Sequence, residues 1–512
     1  MRFAQSPNGF TVYDVQGGEQ VMYVLVNGTL YAFDVIVVSN VITTANELVV
    51  ELATKTKIFC ACSTQFGGLP NTHTCPVCTG MPGSLPVLNK KVVECAMAVG
   101  LACGSEITRK TMFDRKNYFY PDNPQNYQIS QLYAPICVGG SVSIATEDGE
   151  KQIRIHEMHM EEDAGKLIHE GNSSYVDYNR SGVPLLEIVT EPDFRNAKEV
   201  IAFLEKLRLM IQYLGASDCK LQEGSMRVDV NLSVRLLGET KLGTRTEMKN
   251  LGSFRSIAKA IEHETKRQIE QLEQGNEIVQ ETRRWDENAE NSYSMRSKEA
   301  VRDYRYFPEP DLLPLYITDE WVARIKANQP ELREEKQKRY VVEYGLPEYD
   351  VEILTSSKEL ADFFEETVAL CEAPKEVSNW IMTETMRMLK ESGKELKETG
   401  LTAKKLASLI QLVLQQKINR TIAKEVFEIV FAQGIEPLAY VTEQGLLLVE
   451  QEESLQEAVE KIMQQFPQCV EDYKNGKEKI FGYLVGQTMK ALGGKASPQK
   501  VQEVLKKKLD VG

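Results

Sequence analysis

The chain has 512 residues and is acidic, with 60 Lys and Arg against 74 Asp and Glu for a formal charge of −14. That length exceeds what one hydrophobic core serves, and the acidic balance excludes a protein that coats nucleic acid with its whole surface. Hydrophobic residues at 42 % and charged residues at 26 % are ordinary for a soluble globular protein, and ten cysteines without a signal peptide predict a reducing, cytoplasmic setting.

Residues 1–44 alternate apolar and polar side chains, with turn signals at Gly17-Gly18 and Asn27-Gly28, which predicts hairpins and no recognisable chemistry. The apolar run at 21–42 contains Asn27, Gly28, Asp34 and Asn40, so it reads as strands and not as a membrane span. Residues 45–330 mix strands with a few helices. Early in this stretch lie Cys60-Ala-Cys62 and Cys75-Pro-Val-Cys78, a spacing that suits four thiolates around one tetrahedral zinc. Such a site would be structural, because four thiolates leave no open position for substrate. Buried free thiols are the alternative. Against them, the intervening loop carries Gly67, Gly68, Pro70 and Asn71 and lacks the periodicity of a core element.

Residues 113–122 combine Arg115 and Lys116 with four aromatics, suited to gripping phosphate oxygens or supporting a base; a plain aromatic strand with a charged edge fits equally. A strand signal at Ile153 and Ile155 leads to His159, Glu161, Glu162, Asp163 and Lys166. Successive carboxylates repel unless solvated or neutralised, and magnesium with nucleotide phosphates is a natural neutraliser; a solvated acidic turn is the bland reading. His159 and His73 are expected to be satisfied or exposed. Glu187 and Glu191 share strand parity, as do Arg245, Glu247 and Lys249.

Asn196 caps an amphipathic run through Val200, Leu204, Leu207 and Ile211 that Gly215 stops, and a second helix runs from near Phe254 to Leu272 before Gly275. Between them residues 227–234 alternate: Val228, Val230, Leu232 and Val234 on one face, Arg227, Asp229, Asn231 and Ser233 on the other. The polar row would suit a pocket floor or an ordinary half-exposed sheet. Beyond 330, charged Leu-rich helical patterns replace strands, a Glu-rich segment near 450–460 precedes three expected helices, and Ser497-Pro498 opens the last. Residues 471–512 carry nine Lys against five Asp and Glu, which fits a phosphate-meeting tail or a solvated helix. There is no Walker loop, no G-x-G-x-x-G and no arguable Ser/His/Asp or Cys/His arrangement.

Taken in order, these segments closely resemble the B subunit of the aspartyl/glutamyl-tRNA amidotransferases. The matching runs are 55–60, 75–83, 85–89, 113–122, 127–131, 161–166, 186–193, 249–250, 303–311, 473–477 and 484–490, so the likeness covers about residues 47–512. The resemblance implies an α+β body similar to the glutamine synthetase and guanido-kinase fold with a zinc knuckle, followed by all-α helical and tail domains. On this sequence that implies an atypical segment at 1–44, the catalytic body at 45–330, a helical domain at 331–440 and a tRNA-binding tail at 441–512. It further implies that ATP and magnesium phosphorylate the side-chain carboxylate of Glu or Asp misacylated on tRNA. Ammonia released by the glutaminase (A) component of the complex then makes the amide, and a small C component braces the pair. Glu47, Lys116, Glu161 and Glu162 are the implied catalytic residues, with Glu161 and Glu162 on magnesium. Arg115, Lys116, Lys166, Arg227, Asp229 and Asn231 are the expected ATP contacts.

The first strand departs from that pattern. The family usually reads Gly-Leu-Glu-Val-His-Val there, whereas this chain has Glu47, Leu48, Val49 and Val50, with Val49 in the place of the His. An offset register, an altered amino-terminal segment, or a zinc-braced tRNA-binding scaffold with impaired phosphorylation would each account for it.

Overall fold

The structure, a computed structural model, describes residues 20–26, 29–35, 40–296, 304–448, 452–474, 477, 479–492, 496 and 498–511. The predicted turns at Gly17-Gly18 and Asn27-Gly28 lie outside them. Residues 1–330 form one compact unit and 331–512 another.

In the first unit, β1 (Gln20–Val26) and β2 (Thr29–Val35) pair with each other, and β3 (Asn40–Glu51) enters the main sheet. Next come α1 (Lys90–Ala102), β4 (Glu106–Ile107), β5 (Lys110–Thr111), β6 (Asp114–Asn117), β7 (Tyr127–Ser130), β8 (Cys137–Val138), β9 (Ser141–Thr146) and the long β10 (Gly149–Glu162). A hairpin of β11 (Lys166–Glu170) and β12 (Ser173–Asp177) precedes β13 (Pro184–Thr190), α2 (Ala197–Tyr213), β14 (Met226–Leu236), β15 (Thr246–Lys249), α3 (Phe254–Glu273), β16 (Glu281–Asp286) and β17 (Asn291–Arg296). The short β18 (Phe307–Pro308), β19 (Leu315–Tyr316) and α4 (Asp319–Ala327) follow. The main sheet runs β17-β16-β15-β14-β3-β13-β10-β8-β4, with β9 also on β10; β15 and β16 are parallel and the other neighbours along this path antiparallel.

Strand periodicity sorts the residues. Even-numbered side chains of the central strands, Leu48, Val50, Met158, Met160, Leu186, Ile188, Val228, Val230 and Met248, are all buried in one cluster with residues of α1, α2 and α3. In α2, Val200, Phe203, Leu204, Leu207 and Ile211 recur at helical spacing and are fully buried. Each such side chain contributes about 1.5–3 kcal/mol by leaving water. Asn196 accepts from the Glu199 amide at the start of α2, and Ser253 accepts from the Ser256 amide at the start of α3. With the helices on one face, the odd-numbered residues are left to form the other.

The second unit is helical, with no strand among its described residues. Helices α5 (Arg333–Tyr344), α6 (Glu348–Leu354), α7 (Lys358–Cys371), α8 (Pro374–Trp380), α9 (Met386–Ser392), α10 (Ala403–Leu414), α11 (Arg420–Gln433) and α12 (Pro437–Glu443) share one core. A π-helical turn, Ile381–Thr385, joins α8 to α9. A separate core serves α13 (Glu452–Gln465), α14 (Pro467–Lys474), α15 (Lys479–Ala491) and α16 (Pro498–Val511). The Glu-rich segment expected to precede these helices is itself α13, because Leu455, Val459 and Ile462 fall on one buried stripe while Glu457 and Glu460 stay at the surface. No helix among the described residues is long and apolar enough to cross a membrane.

Candidate functional site

On the face without helices, cross-strand pairing lines up side chains from different parts of the chain. One rung reads His159, Glu187, Val49, Arg227 across β10, β13, β3 and β14; the next reads Glu157, Val189, Glu47, Asp229. Strand β3 pairs with β14 without a bulge from Asn40 to Val50. With Leu48 and Val50 in the core, Val49 stands on the polar face by the period of the strand, not through a slipped register.

The first polar group is His159, Glu161 and Glu187, whose ligand-capable atoms lie within 4.8 Å of one another. His159 is buried, with Nε2 at 3.3 Å from Glu187 Oε2 and Nδ1 at 3.4 Å from Glu157 Oε1. Burial alone would lower its pKa, but those two carboxylates raise it to about 10, so it is an imidazolium at neutral pH. Burial pushes Glu187 the other way, yet the bond to His159 and the charges of Lys116 and Lys249 hold its pKa at about 2. The Glu161 carboxylate lies 3.3 Å from Lys116 Nζ, which sits 5.5 Å from the ring centre of Tyr304. Burial opposes the charge on Lys116, and Glu161, Tyr306 and Glu187 outweigh it.

The second group is Glu47, Asp229 and Glu247, also with one oxygen each inside 4.8 Å. Glu47 accepts from Asn231 Nδ2 at 3.0 Å. Lys249 pairs with Asp229 and, at 2.8 Å, with Glu247, which accepts from Thr282 as well. Burial first, and then repulsion from Glu187, Glu247 and Asp229, raises the pKa of Glu47. Asp229 is raised mainly by burial. Despite burial, Glu247 is held low by Lys249 while Glu47 and Asp229 stay raised, and three carboxylates so placed offer the oxygen donors that a hard divalent ion takes. Arg227 closes the row, donating to Asp163 at 3.2 and 2.7 Å. Val49, Tyr118, Glu161, Arg227, Asp229 and Lys249 line a cleft of about 530 Å³. Wider grooves of about 880 Å³ beside α2 and α3 and about 1400 Å³ at the ends of β14 and α3 bring together no comparable group among the described residues, so the smaller cleft is the candidate site.

Three expected site residues lie elsewhere. Glu162 directly follows Glu161 in a regular strand and therefore points to the opposite side, where it accepts from Gln125 Nε2 at 2.7 Å and from the Ile129 amide at 2.9 Å. The two glutamates do not converge on one ion, and burial raises the pKa of Glu162 to about 8. Arg115 likewise alternates with Lys116. Its guanidinium forks onto Glu309 at 2.7 and 2.8 Å, reaches Asp311 at 3.2 Å and stacks 4.2 Å from the Tyr127 ring, so three of its five donors anchor the 307–311 segment. Lys166 is exposed on the β11–β12 hairpin, outside the cleft lining. Glu191 follows the end of β13 and pairs with His156 at 2.8 Å. Conversely, the sequence reading gave His159 only as a satisfied or exposed imidazole, and it is the satisfied one, while Glu187, Glu247 and Lys249 were left as parity observations. Their signal was that parity, which becomes a site only once the strand order is known.

The four sulfurs of Cys60, Cys62, Cys75 and Cys78 lie within 4.8 Å of one another, an arrangement compatible with a structural metal. A hydrogen bond from Cys60 first, then the Cys75 amide and the Lys57 charge, lower the Cys78 pKa to about 4, despite burial. The loop is tied down from outside. Asn71 donates to Asp177 and Val176, the His73 amide donates to Asn179, and Ser181 Oγ donates to the Cys78 carbonyl.

The chain is similar to known proteins over most of its length. Residues 45–323 match the GatB/GatE catalytic domain and residues 362–509 the GatB domain. Proteins named as the B subunit of aspartyl/glutamyl-tRNA(Asn/Gln) amidotransferase are similar over most of the chain. That of Agathobacter rectalis is 63 % identical over 461 residues, covering 90 % of this chain and 97 % of the relative. That of Lachnospira eligens is 62 % identical over 472 residues (90 % and 98 %), and that of Caldicellulosiruptor saccharolyticus is 55 % identical over 469 residues (91 % and 98 %).

Proposed function

We propose, because this chain belongs to the family of aspartyl/glutamyl-tRNA amidotransferase B subunits, that its polar sheet face carries out the ATP-dependent amidation of a misacylated tRNA. The substrate is Glu on the glutamine tRNA or Asp on the asparagine tRNA. The observation that carries this reading is the pair of carboxylate groups set among Lys116, Lys249 and Arg227 on one face. A side-chain carboxylate is a poor electrophile until a phosphoryl group is attached, and phosphoryl transfer needs charge and position more than a protein nucleophile.

Glu47, Asp229 and Glu247 are the residues best suited to hold magnesium, with Glu161 and Glu187 on the adjoining strands. A magnesium ion there would neutralise charge on the transferred phosphoryl group. Lys116 and Arg227 present cations to phosphate oxygens from opposite sides of Val49. His159, fixed between Glu157 and Glu187 and already protonated, orients those carboxylates. The γ-phosphoryl group passes to the aminoacyl carboxylate oxygen. Ammonia then forms the C–N bond as phosphate leaves with the C–O electron pair, and the nitrogen sheds a proton to solvent or a neighbouring carboxylate. The glutaminase (A) component supplies the ammonia, the small C component braces the complex, and the tail helices, with four lysines on α16 and two on α15, meet tRNA phosphates. Zinc on the four cysteines would brace the loop that carries them.

The test is the chain assembled with its glutaminase and its small C component, given ATP, ammonium chloride and Glu-tRNA(Gln). Gln-tRNA(Gln) and ADP are expected in equal amounts. Normal tRNA binding with neither product would leave a zinc-braced scaffold instead.

A further inference from the structure

We infer that Lys57 is the counter-cation of the cysteine centre, a role that rests on reading the four cysteines as a metal site. Its side chain is completely buried. The ammonium has three donors and uses each: 2.8 Å to the His73 carbonyl, 3.3 Å to the Tyr178 carbonyl and 3.5 Å to Cys78 Sγ. Among the described residues it makes no ion pair with a carboxylate. Glu162 lines the same small cavity as Lys57 and Cys78, but its bonds go to Gln125 and Ile129.

A buried ammonium without an anion is one of the most costly arrangements a fold can contain. The thiolates are the anion that this one has. The need is mutual, because a divalent ion with four thiolates carries two surplus negative charges in a site half withdrawn from water. Apart from Lys57, the Cys78 sulfur draws on the Cys75 amide at 3.2 Å, a neutral donor. Lys57 therefore does two things at once. It offsets part of the surplus charge, and it ties the centre to His73 within the loop and to Tyr178 at the start of the turn that carries Ser181 and Gly182.

A residue that only capped two carbonyls would matter equally with and without metal. A counter-cation matters most when the tetrathiolate is formed. The experiment uses the full-length chain, with zinc affinity measured by competition against a chromogenic chelator and melting followed with and without zinc. For Lys57→Met, zinc affinity is expected to fall 10–100-fold, as for other groups that act on a metal through its ligands. The rise in melting temperature on adding zinc should shrink with it. Lys57→Arg, which keeps the charge, should stay within about threefold of wild type, by the same scale. Unchanged affinity in Lys57→Met, an equal fall of the melting temperature with and without zinc, or a loss in Lys57→Arg as large as in Lys57→Met would overturn the proposal. A wild-type chain that takes up no zinc would remove the metal reading, and the role of Lys57 with it.

Discussion

Replacing Glu162 by Gln should stabilise the first unit at alkaline pH. The carboxyl is buried behind the strand that carries Glu161, and burial moves its pKa from 4.5 to about 8. Because the folded value is raised, the acid costs nothing below pH 4.5, where it is protonated in both states. Stability is then lost as pH rises through that window, and the loss is complete above about pH 8. A shift of that size corresponds to on the order of 5 kcal/mol as a ceiling, and relaxation and water entry reduce it to a few kcal/mol. Gln keeps an oxygen for the Gln125 and Ile129 donors and carries no charge. The assay is urea unfolding of wild type and Glu162→Gln between pH 5 and pH 9. A Trp380→Phe background leaves Trp285 and Trp321, both in the first unit, as the fluorophores. The two unfolding curves should nearly coincide at pH 5, separate up to about pH 8 and stay apart by the same amount to pH 9, with the variant more stable. Separation that shrinks with pH, or a variant less stable at pH 9, would refute the argument. It would return Glu162 to the role of an ionised ligand.

Other substitutions test the polar face itself. Glu47→Gln and Asp229→Asn, each removing one oxygen from the second carboxylate group, should cut tRNA-dependent ADP release by about 10²-fold or more, the scale of a preorganised electrostatic group; ADP release within twofold of wild type would exclude that group from the phosphoryl step. Val49→His places an imidazole on the rung between Glu187 and Arg227 and should raise ammonium-supported amidation by about tenfold or more; an unchanged rate would mean that Val49 does not limit turnover. Arg115→Met strands a Glu309 side chain with no solvent exposure, so a loss of about 3–5 kcal/mol is expected in chemical denaturation. An Arg115→Met chain of normal stability that no longer consumes ATP would instead mark Arg115 as a phosphate contact.

What the sequence disclosed follows from how local each signal is. The period of residues 227–234 placed Asp229 and Asn231 on one face correctly, since strand alternation needs nothing but neighbours. The cysteine spacing is local too, and the sulfurs do converge. The ion pairs of Arg115 were hidden because its partners Glu309 and Asp311 lie 194 and 196 residues downstream, a distance that no pattern spans. The divergence of Glu161 and Glu162 was hidden for a different reason. Three consecutive acids suggest a turn, but β10 runs through both glutamates, so alternation sends them to opposite sides. Glu187 and Lys249 were visible only as parity. Their encounter depends on β3 lying between β13 and β14, an order that pairs the start of the sheet region with its middle.

Because the polar row runs across the strands and not along one, its width is set by backbone spacing. Five strands from β10 to β15 put roughly 19 Å between the outer columns at about 4.8 Å per gap. That is room to lay a nucleotide tail and an aminoacyl ester side by side. It also makes the machinery brittle in a particular way: deleting a single residue from β3 would swap its columns, burying Glu47 and turning Leu48 toward the reactants while leaving composition and overall shape almost untouched.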